Sequence, residues 1–219
     1  GLGEPIWGQI LQAPSTGDRL KDAFILIRNM MVRAARVTGR ERVPYLKYLD
    51  KLFQITQDRS SDATSFYRGL SLFLKAEIQE TSQAKRKFYF SAADVLKLSR
   101  GNYQREGMYV QARSYFAAAK HESTPDKREK VYAKAKPLFI QLINNYRSLR
   151  SVYYLGEIFR IERNDLAARR CYEVVMKKTK GKRGGEFWYN NALAGMESCG
   201  SAGDLTKLKG IKIDEAIFP

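Results

Sequence analysis

The residues able to do acid–base, nucleophilic or metal chemistry are few in this chain, and their spacing assembles no familiar catalytic set. The single histidine, His121, falls in a polar stretch, and a Ser-His-Asp or Cys-His arrangement would have to give it every role. It reads as a surface loop residue. The two cysteines, Cys171 and Cys199, are too few for a disulfide framework and, beside one histidine, too few for a zinc set. They read as buried free thiols. Gly181-Lys182-Arg183-Gly184-Gly185 is basic and glycine-rich. However, no strand precedes it and no Ser or Thr follows its lysine, so it reads as a connector rather than a phosphate loop. Carboxylate pairs that meet only in the fold stay open at this level. No catalytic residue, metal or cofactor is assigned, and the expectation is a protein that is not an enzyme.

The composition is that of an ordinary folded chain: 219 residues, 44% hydrophobic and 28% charged. No run of 18 apolar residues occurs, so no membrane span is expected. The net charge of +16 admits an acidic protein, a nucleic acid or an anionic surface as partner. The densest basic clusters, Lys85-Arg86-Lys87, Lys177-Lys178 and the run from Lys180 to Arg183, are short and scattered. The first residue is Gly rather than Met. With a sequence pI of 9.8, this tilts the expectation toward a bacterial exported or envelope-associated protein with its leader removed, the alternative being the cytoplasm.

Apolar residues recur at helical spacing almost throughout. A Gly- and Pro-containing arm over 1–17, with Ile6, Trp7, Ile10 and Leu11 as anchors, precedes a helix over 18–37. Pro44 is tolerated in the first turn of the next helix, Ser60-Ser61-Asp62 offers a cap for a third, and Thr81-Ser82 marks the start of a fourth. A fifth helix is expected over 103–120, with Met108, Ala112, Tyr115 and Phe116 inward. A sixth follows from Thr124-Pro125 to Tyr146, kinked or delayed by Pro137. Residues 152–179 supply a further pair, and Phe187-Trp188-Tyr189 opens the last long helix. The expected fold is all-α, about nine or ten helices paired by short loops.

Leu155, Gly156 and Phe159, then the polar turn Arg163-Asn164-Asp165, then Ala168 and Tyr172, form a pattern of small and aromatic residues that lets two short antiparallel helices approach closely. It resembles the tetratricopeptide repeat, whose unit is roughly 34 residues long. The resemblance is specific over 106–200 and loose over 18–100. It departs from the family where Arg147 and Lys180 stand in place of a closing proline. It implies an α-solenoid, with degenerate repeats over 18–100 continuous with closer repeats over 101–219. It also implies a concave, basic, Tyr-lined groove that captures another protein or a peptide of acidic character. The exposed inner positions would be Tyr109 and Arg113, then Arg150, Tyr153, Glu157 and Arg160, then Asn190. Arg, Tyr and Asn suit that use through bidentate, stacking and backbone contacts. The alternative is a helical-repeat protein that binds nucleic acid or another polyanion, because thirteen Tyr and eleven Phe beside many cations also suit base stacking.

Overall fold

The computed structural model describes residues 19–56 and 62–218, and among these every regular element is helical. The expected anchors in the 1–17 arm and the Ser60-Ser61 cap lie outside the described residues. Nine α-helices occur among the described residues: α1 (Arg19–Arg36), α2 (Val43–Ile55), α3 (Asp62–Glu77), α4 (Ser82–Leu96), α5 (Gln104–Lys120), α6 (Pro125–Tyr146), α7 (Leu149–Ile161), α8 (Asp165–Thr179) and α9 (Glu186–Glu197). Local chemistry explains several of their starts. Pro44 sits in the first turn of α2, the Thr81 hydroxyl accepts from the Ala84 N–H at the start of α4, and Pro125 opens α6. Pro137 neither delays nor ends α6. It lies exposed, as does Ala133 one turn before it, the residue whose carbonyl the proline cannot serve.

The chain forms two compact units, Gly1–Arg128 and Glu129–Pro219. No seam falls near residue 100, because α4 and α5 on either side of it pack closely.

In the first unit, α3 is the hub, touching α1, α2, α4 and α5. Its glycine explains one close approach: a Cβ on Gly69 would fall 2.3 Å from Leu96 Cγ of α4. Arg42, only 6% exposed, ties α1 to α3. Its Nε donates to the Ala34 carbonyl at 2.8 Å, Nη2 to the Val37 carbonyl at 2.8 Å and Nη1 to Glu77 at 2.5 Å. Helix α5 buries ten of its residues, because Ala112, Ser114, Ala118 and Ala119 leave room for neighbours on more than one side.

His121 is not an open loop residue. It is the C-cap of α5, half-buried, with its ring 6.2 Å from that of Tyr89 and nearly parallel to it, and Nδ1 3.3 Å from Ser82 Oγ. Burial, followed by Lys85 and Lys120, lowers its pKa. Tyr89 itself is pushed up to about 12, mainly by burial and then by the charge of Glu77. The neutral phenol is therefore the form the fold favours. Its contribution to stability is complete below about pH 10, the ordinary tyrosine value, and declines as pH rises toward about 12. Tyr89→Phe is expected to flatten the loss of stability between those limits in urea titrations. An unchanged slope would count against it.

In the second unit, α7, α8 and α9 pack mutually, with Ile143 of α6 joining their core. Leu155, Phe159, Ala168 and Tyr172, the pattern noted in the sequence, are all fully buried. Arg163 adopts φ +57 after α7, where Arg163 N–H bonds the Arg160 carbonyl and Asn164 N–H the Phe159 carbonyl. Asn164 then caps α8 by accepting from the Ala167 N–H at 3.3 Å. The segment after α9 returns along this unit. Asn164 holds Asp204 through two hydrogen bonds, Asn144 holds Gly210 and Lys212, and Ile213 and Ala216 enter the core.

Candidate interaction surface

Arg150, Tyr153, Glu157 and Arg160 recur at spacings of three and four along α7, so helical geometry aligns them on one stripe. The last three share neighbours. Glu157, its side chain 13% exposed, accepts from Tyr172 Oη at 2.5 Å through Oε1 and from Arg160 Nη2 at 3.0 Å through Oε2. Burial, reinforced by the Glu157 charge, raises the Tyr172 and Tyr153 hydroxyls well above the ordinary phenol range. The Glu157 bond holds Arg160 protonated. This network orders the stripe, and it also occupies both carboxylate oxygens of Glu157. Glu157 is thus a strut under the surface rather than a group open to a partner.

Above the network lies a run of rings. The Tyr153 centroid is 6.1 Å from that of Tyr172, 5.3 Å from Tyr154 and 5.6 Å from Trp188. Phe187 meets Trp188 edge-on at 5.3 Å, yet Phe187 is 64% exposed. Two glycines make this assembly possible. A Cβ on Gly156 would fall 3.0 Å from Tyr172 Cε1, and one on Gly195 of α9 would fall 2.6 Å from Tyr172 Cζ. The Tyr172 ring is therefore held between the backbones of α7 and α9, and α9 is brought close enough for Trp188 to reach Tyr153.

The other expected site residues fare differently. Asn190 is exposed on α9, and Arg150 is half-buried in the first turn of α7. Arg113, in the first unit, is half-buried with its guanidinium 4.9 Å from the Phe73 ring centroid. Tyr109 corrects the expectation. It is 5% exposed and belongs to the core, because α5 is enclosed on the side where the resemblance implies an open groove. Tyr154, Phe187 and Trp188 escape sequence reasoning as surface residues. The signal available is the aromatic triplet opening α9, which helical spacing alone assigns to packing.

No group of three or more metal-ligating side chains occurs among the described residues. Cys171 and Cys199 are both free. Burial raises the Cys171 thiol, and burial followed by Asp165 raises that of Cys199, so neither is a ready thiolate. No helix among the described residues is long and apolar enough to cross a membrane. Compared with protein-family models, curated proteins and solved structures, the chain matches none of them.

Proposed function

We propose that the chain is a non-catalytic, tetratricopeptide-like helical scaffold, and that the α7/α9 face of its second unit captures a peptide or protein of acidic character. The observation that carries this reading is Phe187 held 64% exposed against Trp188, itself braced by Tyr153 and Tyr154. A rigid aromatic step of this kind supplies contact area at little entropic cost, and Tyr, Trp and Arg are the types that dominate binding energy at interfaces. Arg150 and Arg160 on the same helix, in a chain of net charge +16, favour a partner carrying carboxylates.

Trp188 gives a direct reading, since the other tryptophan, Trp7, can be replaced by Phe. Titration with synthetic peptides that place Asp or Glu around an apolar anchor is expected to shift Trp188 emission to the blue in a saturable way. Phe187→Ala is expected to weaken binding about tenfold, or about 1.4 kcal/mol, without loss of helicity. Binding confined to heparin or oligonucleotides, collapsing with salt and indifferent to Phe187, would replace this reading with the polyanion one.

A further inference from the structure

The first unit holds a cleft of about 220 Å³ between α2, α3 and α4. Its apolar walls are Phe53, Leu72 and Val95. Its polar groups are Asp50, Arg68, Ser71 and Lys75, two cations and one carboxylate, for a local charge of +1. Arg68, Ser71, Leu72 and Lys75 stand at spacings of three and four on α3, so a single helix face presents them together.

Ser71 is the unusual member. Other buried hydroxyls on helices find a partner among the described residues, as Ser114 does in the Val110 carbonyl at 2.7 Å, Thr179 in the Val175 carbonyl at 2.8 Å and Ser151 in Ser148 Oγ at 2.9 Å. Ser71 is 2% exposed and lines the cleft, yet its Oγ has no hydrogen-bond partner. A buried, unmatched hydroxyl in a native core calls for a reason. The cations around it are held in place. Arg68 Nη2 donates to the Phe53 carbonyl at 2.8 Å with its guanidinium 5.7 Å from the Phe53 ring centroid, and Lys75 Nζ meets Asp50 at 2.5 Å. Arg68 thus keeps donors on Nε and Nη1 that no described residue takes.

We propose that this cleft binds a small organic carboxylate bearing a short apolar arm. The carboxylate accepts from Ser71 Oγ–H and from the Arg68 fork, while the arm lies against Phe53, Leu72 and Val95. The Lys75–Asp50 pair neutralises the one acidic group that would repel such a ligand. Three observations set its class. The volume lies below the range of about 300–1,000 Å³ that holds drug-sized molecules, which selects a ligand of benzoate or hexanoate size. The local charge of +1 matches one carboxylate, whereas a phosphate monoester brings roughly −1.5 to −2. The hydroxyl without a partner supplies the donor that a purely apolar ligand would leave unused.

The test uses the full chain with benzoate and hexanoate as probes, followed by saturation-transfer NMR and calorimetry, with circular dichroism confirming the fold of each variant. Saturable one-to-one binding is expected, about fivefold weaker in Ser71→Ala and lost in Arg68→Met and in Leu72→Trp, which fills the cleft. Any one of four results would overturn the proposal: no saturable binding of either acid, equal binding of neutral benzyl alcohol, tighter binding of phenyl phosphate, or binding unchanged in Leu72→Trp. Phe187→Ala leaves this binding intact, so the outcome is independent of the peptide-capture reading.

Discussion

Tyr172→Ala is expected to lower the stability of the second unit by about 4 kcal/mol, the cost typical of emptying a fully buried aromatic position. The ring is wholly buried and lies against both Gly156 and Gly195, so neither α7 nor α9 carries a side chain at the point of contact that could swing in to fill the void. Tyr172→Phe keeps the ring and removes only its hydrogen bond to Glu157, which still has Arg160. The loss expected there is about 2 kcal/mol, that of a hydrogen bond to a charged group. Urea unfolding followed through Trp188 in a Trp7→Phe background measures both. Equal losses in the two variants would show that the hydroxyl, not the ring, carries the effect. Gly195→Ala supplies a coupled test, since its methyl has no room beside Tyr172 but has room once the ring is gone. The two substitutions should therefore be markedly non-additive.

Arg42→Met is expected to cost the first unit about 3 kcal/mol, the lower end for breaking a buried ion pair, because Glu77 keeps 35% of its side chain exposed. Three acceptors lose their donor at once: Glu77 and the carbonyls of Ala34 and Val37 at the end of α1. A lysine at this position cannot reproduce the arrangement, because a single ammonium does not span two carbonyls and a carboxylate in different directions. Arg42→Lys should therefore recover little. Amide exchange in the last turn of α1 is the local reading. Unchanged protection there in Arg42→Met would show that the guanidinium is incidental to that helix end.

Several helix starts are legible in the amino-acid order, since the deciding interactions are local. Pro44, Thr81, Pro125 and Asn164 each act within one turn of themselves, so their types and positions are sufficient. The buried faces of α7 and α8 are equally plain, as Leu155, Phe159, Ala168 and Tyr172 repeat at helical spacing. Pro137 is the exception. Its effect depends on whether the affected carbonyl faces solvent or protein, and spacing does not reveal that; α6 starts at Pro125 and runs through Pro137, without the delayed start. The alignment of Arg150, Tyr153, Glu157 and Arg160 is likewise legible. Which of them face outward is not.

What the amino-acid order determined alone, then, was the set of helices, some of their starts and the stripe of candidate residues along α7, because each follows from backbone hydrogen bonding and a period of about 3.6 residues. The packing of distant segments decided the rest. It enclosed Tyr109, engaged Glu157 with Tyr172 fifteen residues away, set Phe187 outward against Trp188, and left Ser71 lining a cleft with its hydroxyl unmatched. Burial depends on which helices meet a given face, and that is settled by the sum of many weak contacts between residues far apart in the chain.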